Sequence, residues 1–181
     1  MKGIVFTEFL ELVEEKFGLG MVDTIIEESE LPSKGIYTSI GTYDFSEMLT
    51  LITSLSKHTH ISVNDLLQVY AEHFFNVLKE SYPQLLEKYT NPIELLSSIE
   101  NHIHVEVMKI YPDAELPTFE ILEKTDDRLV MIYKSSRAMY SFGLGLMHKT
   151  FSHFNKEANI QYNKLREDGT EVKFLIEMKH G

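Results

Sequence analysis

The hydrophobic period of this chain first passes from helical to strand-like between residues 111 and 119, and that change decides its fold class. Before it, apolar residues recur at helical spacing: Val5, Phe9, Leu12 and Val13 within residues 3 to 17, where Gly18 and Gly20 act as stop signals, and Leu66, Leu67, Tyr70, Phe74 and Val77 within residues 62 to 81. A short helix around 21 to 29 and another running to residue 57 fill the interval. Asp44 with Glu47, and Ser62 with Asp65, read as capping pairs at the starts of two of these helices. Asn91-Pro92 followed by Glu94 combines a capping residue, a first-turn proline and a first-turn acid, and predicts a helix from 92 to Tyr111. Beyond the change, β-prone runs at 119 to 124 and 128 to 135 flank Asp126-Asp127. A helix over 137 to 154 follows, and then a second hairpin, 159 to 166 and 171 to 179, around Asp168-Gly169. The expected fold is therefore α+β: a helical amino-terminal portion and then a ββαββ portion with a small antiparallel sheet.

A chain of 181 residues that is 43% hydrophobic can bury one full core, so a single domain is expected over residues 1 to 181. The net charge of -11 argues against nucleic acid and anionic membranes as partners. No cysteine is present, which excludes disulfides, thiolate metal sites and cysteine nucleophiles, and fits a reducing compartment. Glu8 interrupts the apolar amino terminus before a signal-peptide core can form, and no apolar run approaches membrane-spanning length. A cytoplasmic protein is the expectation.

Two groups of residues could carry chemistry. On the predicted helix over 92 to 111, His102 and His104 are two residues apart, so they point about 200° away from each other and cannot grip one ion. His102 shares a solvated face with Ser98, Glu106 and Lys109. His104 shares an apolar one with Val107, Met108 and Tyr111. Taken alone, an inward histidine is more often a core residue than a ligand. Further on, Tyr133, Ser135 and Arg137 alternate where strand passes into helix, which aims two hydroxyls and a guanidinium the same way in an extended chain. They suit one or two carboxylates or a phosphate, or else form the wet face of a strand. A ligand with an apolar body, two carboxylates and a demand for one imidazole would explain both groups, and haem is such a ligand.

These residues resemble the haem-nitric oxide/oxygen binding (H-NOX) family, bacterial relatives of the sensor domain of soluble guanylate cyclase, and the resemblance covers nearly the whole chain. Its most specific element is a Tyr-x-Ser-x-Arg signature, met by Tyr133, Ser135 and Arg137, which it assigns to the haem propionates. It assigns the iron to His104, and it makes Pro117 the proline packed against the haem that helps to distort it. Five residues beyond Arg137, where oxygen-binding members carry a tyrosine, stands Phe142, which donates no hydrogen bond.

The resemblance thus implies a haem b (iron protoporphyrin IX) sensor that is not an enzyme, binding nitric oxide, and carbon monoxide as a further gas, while discriminating against oxygen. It would signal to a separate histidine kinase or cyclic-di-GMP enzyme. Residues 1 to 60 would form a mainly helical distal portion, and residues 61 to 181 the proximal helix and the sheet. An oxygen-binding haem sensor, a haem-dependent enzyme and a haem-free adaptor are the alternatives. His73 is left open, either as a core histidine bonded to backbone or as a polar group close enough to touch a bound gas. Gly143 and Gly145 are expected to serve helix packing, and His58, His60, His148 and His153 to lie at the surface. The cysteine-rich zinc site of some relatives cannot be built here.

Overall fold

The structure, a computed structural model, describes residues 1–179; His180 and Gly181, at the end of the expected domain, lie outside the described residues. Its helices are α1 (Gly3–Phe17), α2 (Leu19–Glu27), α3 (Phe45–Thr59), α4 (Val63–Ser81), α5 (Pro92–Ser97), α6 (His104–Ile110) and α7 (Tyr140–His153). Its strands are β1 (Thr118–Lys124), β2 (Arg128–Lys134), β3 (Ala158–Lys164) and β4 (Glu171–Met178). The strands form one antiparallel sheet in the order β1-β2-β4-β3, so the expected α+β architecture is the one observed.

Local chemistry accounts for most helix boundaries. Gly18, at φ 85°, ends α1 in a backbone conformation that favours glycine. The Asp44 carboxylate accepts from the Ser46 N–H, the Ser62 hydroxyl oxygen from the Asp65 N–H, and the Asn91 side chain from the Ile93 N–H behind Pro92. Glu47 departs from its expected capping role. It is buried and accepts hydrogen bonds from the hydroxyls of Ser33 and Tyr37, tying the loop after α2 to α3.

Two apolar clusters hold the chain together. Phe6, Phe9, Ile25, Leu51 and Leu55 centre the amino-terminal one, and Leu129, Met131, Phe174 and Ile176 centre the one over the sheet. Each such side chain contributes roughly 1.5–3 kcal/mol on burial. Helix α4 joins the two, since Leu66, Leu67 and Tyr70 belong to the first cluster and Phe75 to the second. It lies close to α7 because Gly145 has no side chain: a Cβ there would stand 2.7 Å from the Ala71 Cβ and from the Gln68 carbonyl oxygen. Strand alternation puts Leu129, Met131 and Tyr133 of β2 on the core face with Val172, Phe174 and Ile176 of β4.

Two departures from the sequence expectation shape the site. The helix expected from 92 to 111 is three pieces, because the Ser98 carbonyl accepts from both the His102 N–H (2.8 Å) and the Ile103 N–H (3.3 Å). The second bond opens a π segment, Ile99–Ile103, between α5 and α6. A single helical wheel therefore misplaces His102, which lies in the π segment and is half-buried; within α6 itself Met108, assigned to the His104 face, is 39% exposed. In addition, α7 begins at Tyr140 rather than 137. Strand β2 ends at Lys134, the Ser135 N–H donates to the Thr170 carbonyl, and Ala138 takes a left-handed φ of 51° with its N–H on the Ser135 carbonyl.

Candidate ligand cavity

Between the two clusters lies a cavity of about 280 Å³ with largely apolar walls. Helices α1, α4 and α7 supply Ile4, Val5, Phe74, Leu78, Phe142 and Leu146. The π segment and α6 supply Ile99, Ile103, His104 and Val107, and the chain leading into β1 supplies Leu116 and Pro117. All six residues singled out in the sequence, His104, Pro117, Tyr133, Ser135, Arg137 and Phe142, line this cavity.

His104 is the first residue of α6. Its Nδ1 lies 3.2 Å from Glu100 Oε1, and its ring centroid is 6.0 Å from that of Phe119. Burial pushes the His104 pKa below its usual value, with the Glu100 carboxylate acting in the opposite sense, so the imidazole is held neutral with a lone pair available. The neighbouring histidine is not where the expectation put it. His102 is half-buried rather than on a solvated face, its Nδ1 2.8 Å from the Tyr89 hydroxyl, which in turn accepts from Ser98. Among the described residues, no three His, Cys, Asp or Glu side chains are grouped to hold a metal ion.

The signature residues meet at the cavity by a route that differs from a straight strand. Tyr133 closes the core face of β2, with its ring edge-on to Phe119 at 5.7 Å. Ser135 and Arg137 sit in the turn beyond the strand, where the Ser135 hydroxyl oxygen accepts from the Arg137 backbone N–H. Burial raises the Tyr133 pKa, partly offset by its hydrogen bond with Ser135, so the phenol keeps its proton. The Arg137 guanidinium donates to the Glu115 carbonyl at 2.7 Å and to Glu115 Oε2 at 2.5 Å, while Glu115 itself is 83% exposed.

The remaining polar groups of the lining have partners elsewhere. Lys2 donates to Thr42 and Asp113, and Thr42 also donates to Asp113, which ties the start of α1 to the segment after α6. The Thr150 hydroxyl donates to the Leu146 carbonyl, and the Tyr111 hydroxyl pairs with that of Tyr82. His73 is not part of the lining; its Nε2 lies 3.4 Å from Glu8 Oε2, so its partner is a carboxylate. His153 is half-buried against Phe75 rather than at the surface.

The two glycines of α7 have different reasons. Gly145 serves helix packing as expected. Gly143 lines the cavity, and a Cβ there would meet no protein atom within 4 Å. Glycine spacing alone could not separate these roles, because the difference lies in what stands opposite each residue. Glu100 and Glu115 join the site without a motif of their own, although Glu100 precedes His104 by the four residues that align side chains along a helix.

The chain matches the family model described as Haem-NO-binding over residues 2–162. It is similar to the Fe(II) unliganded H-NOX protein from K. algicida, with 67% identity and a TM-score of 0.97 over 100% of this chain and 98% of that one. The H-NOX from Shewanella woodyi, determined with IWP-051 bound in the Fe(II)CO state, is 37% identical with a TM-score of 0.83, covering 98% of this chain and 94% of that one. The H-NOX protein from S. oneidensis in the Fe(II)NO state shares the fold, with a TM-score of 0.91 at 22% identity, covering 99% and 100% of the two chains.

Proposed function

Since the chain belongs to the Haem-NO-binding (H-NOX) family, whose members are haem-based gas sensors, we propose that it is a sensor of nitric oxide that discriminates against oxygen. The cavity fits the cofactor on its own chemistry: apolar walls, one neutral imidazole, and a phenol, an alcohol and a guanidinium grouped as carboxylate partners. Gly143 adds to the fit, since a glycine inside a helix costs about 1 kcal/mol against alanine and nothing in the protein requires this one. His104 would hold the iron, Tyr133, Ser135 and Arg137 the propionates, and Pro117 and Phe142 the faces of the ring. With no cysteine, a thioether-attached haem is excluded, and haem b, held without a covalent link, is the cofactor proposed. When bound, it supplies a ferrous iron that takes up a diatomic gas.

The observation that carries the choice of gas is the wall from α1, α4 and α7, where Ile4, Val5, Phe74, Leu78, Phe142 and Leu146 offer no hydrogen-bond donor. Bound oxygen is stabilised by a donor, whereas nitric oxide binds ferrous iron strongly without one. His73, the other candidate donor, is turned to Glu8. Carbon monoxide, present in the S. woodyi relative, is proposed as a further ligand. No helix among the described residues is long and apolar enough to cross a membrane, and a cytoplasmic location remains part of the proposal.

For output, residues 1–60 would form the distal portion and 61–181, described to residue 179, would hold the proximal helix and sheet, with α4 shared between the two cores. Displacement of α6 reaches the amino-terminal helices through Asp113, which holds both Lys2 and Thr42. The partner would be a separate histidine kinase or cyclic-di-GMP enzyme. The test is spectroscopic: the ferrous protein should show a Soret band that changes with nitric oxide and stays unchanged in air. A stable oxygen complex in air would overturn the choice of gas, and the lack of any Soret band the whole reading.

A further inference from the structure

Glu100 lies in the π segment, and one of its oxygens has two neighbours. Oε1 is 3.2 Å from His104 Nδ1 and accepts the Phe119 backbone N–H of β1 at 2.9 Å. His104 and Phe119 both line the cavity, so one carboxylate oxygen ties the imidazole on α6 to the edge strand of the sheet. On the same π segment, His102 is bonded to Tyr89. The segment is thus anchored on two of its polar side chains, and Glu100 is the one that reaches the cavity wall.

Resting on the assignment of His104 to iron, we infer that Glu100 is the positioning residue for that ligand and the link through which the ring's orientation is coupled to β1. The chemistry follows from the two ring nitrogens. An acceptor at Nδ1 keeps the proton there and leaves the Nε2 lone pair for a metal, and a negatively charged acceptor makes Nε2 a stronger donor than a neutral one would. Because the same oxygen takes the Phe119 N–H, a rotation of the imidazole that draws the carboxylate away loosens the start of β1. The spacing of Glu100 and His104 across the π turn places this contact, and an alanine or leucine at 100 has no atom to make it.

The test compares the ferrous haem-loaded protein with Glu100→Gln and Glu100→Leu by resonance Raman spectroscopy of the iron–histidine stretch and by amide hydrogen exchange at Phe119. Glu100→Leu should lower the stretching frequency and speed Phe119 exchange. Glu100→Gln, which keeps an acceptor without the charge, should give a frequency between the other two and should protect Phe119 better than leucine does. Should the leucine variant fail to fold, the glutamine variant alone decides, since a positioning role requires its frequency to fall below wild type. Faster Phe119 exchange with an unmoved frequency in both variants would make Glu100 a purely structural tie and overturn the inference. An iron–histidine band that survives in His104→Gly would instead remove the ligand assignment on which it rests, and that control separates the two failures.

Discussion

Tyr70 and Phe142 pack with ring centroids 5.3 Å apart, and the Tyr70 hydroxyl donates to the Val5 carbonyl at 2.5 Å. The phenol packed on Phe142 is thus bonded to backbone in the amino-terminal core, and burial holds its pKa well above the usual tyrosine value. A tyrosine beside the cavity is therefore not a donor to the cavity. Tyr70→Phe should cost about 0.5–1.5 kcal/mol in denaturant unfolding, the usual worth of one such hydrogen bond, and leave gas affinities unchanged. Altered nitric oxide or oxygen affinity in this variant would place the Tyr70 hydroxyl in the ligand pocket.

Removing the proposed iron ligand should be specific to one of two neighbouring histidines. His104→Gly should abolish the five-coordinate ferrous spectrum, and added imidazole should restore it by filling the space left on α6. His102→Gly should leave the spectrum in place. It should instead lower stability, because Tyr89 loses its ring partner. The reverse pattern would mean that the π turn orients the two histidines differently.

Arg137→Ala tests the carboxylate cluster. A hydrogen bond to a charged group contributes about 1.5–3 kcal/mol, so haem dissociation should quicken by roughly one to two orders of magnitude. Folding should suffer less, because Glu115, the guanidinium's present partner, is mostly exposed and returns to water. Equal haem loss from wild type and variant would refute the propionate assignment.

The two glycines of α7 predict opposite signs for one substitution. Gly145→Ala forces a methyl against Ala71 and the Gln68 backbone and should destabilise by about 1–3 kcal/mol. Gly143→Ala meets no protein atom and gains helix propensity, so the haem-free protein should be about 1 kcal/mol more stable. Its methyl occupies cavity space, so haem titration should show weaker binding. Unfolding curves of the haem-free variants alongside such titrations check both signs.

Much of the fold is legible in local chemistry, because Asp44, Ser62 and Asn91 each satisfy helix amides from their own side chains and strand alternation carries Tyr133 to the core face. The π segment is not legible in this way. It rests on which amides share the Ser98 carbonyl, a register that the residue pattern does not encode, and it takes His102 off the face that a regular helix would give it. The turn at Ala138 is hidden for a related reason, since a left-handed alanine is tolerated only where surrounding contacts hold it. Of the site, type and spacing made His104, Tyr133, Ser135 and Arg137 candidates only, and the family resemblance gave them their roles. The partners that aim them, Glu100 and Glu115, depended on tertiary approach to Phe119 and Arg137.

Phe142 provides the sharpest test of gas choice. It lines the cavity, packs against Tyr70 and Phe74, and stands where oxygen-binding relatives are expected to carry a tyrosine. Phe142→Tyr adds one hydroxyl to a wall without donors. A hydrogen bond from it to bound oxygen is worth about 1–3 kcal/mol, which raises oxygen affinity roughly five- to a hundredfold. Nitric oxide affinity should hardly move. Because the starting affinity is expected to be very low, oxygen binding has to be followed over a range of pressures rather than in air alone. Wild-type protein that already forms a stable oxygen complex would defeat this account, and His73→Leu would then show whether the His73 ring leaves Glu8 to supply the donor.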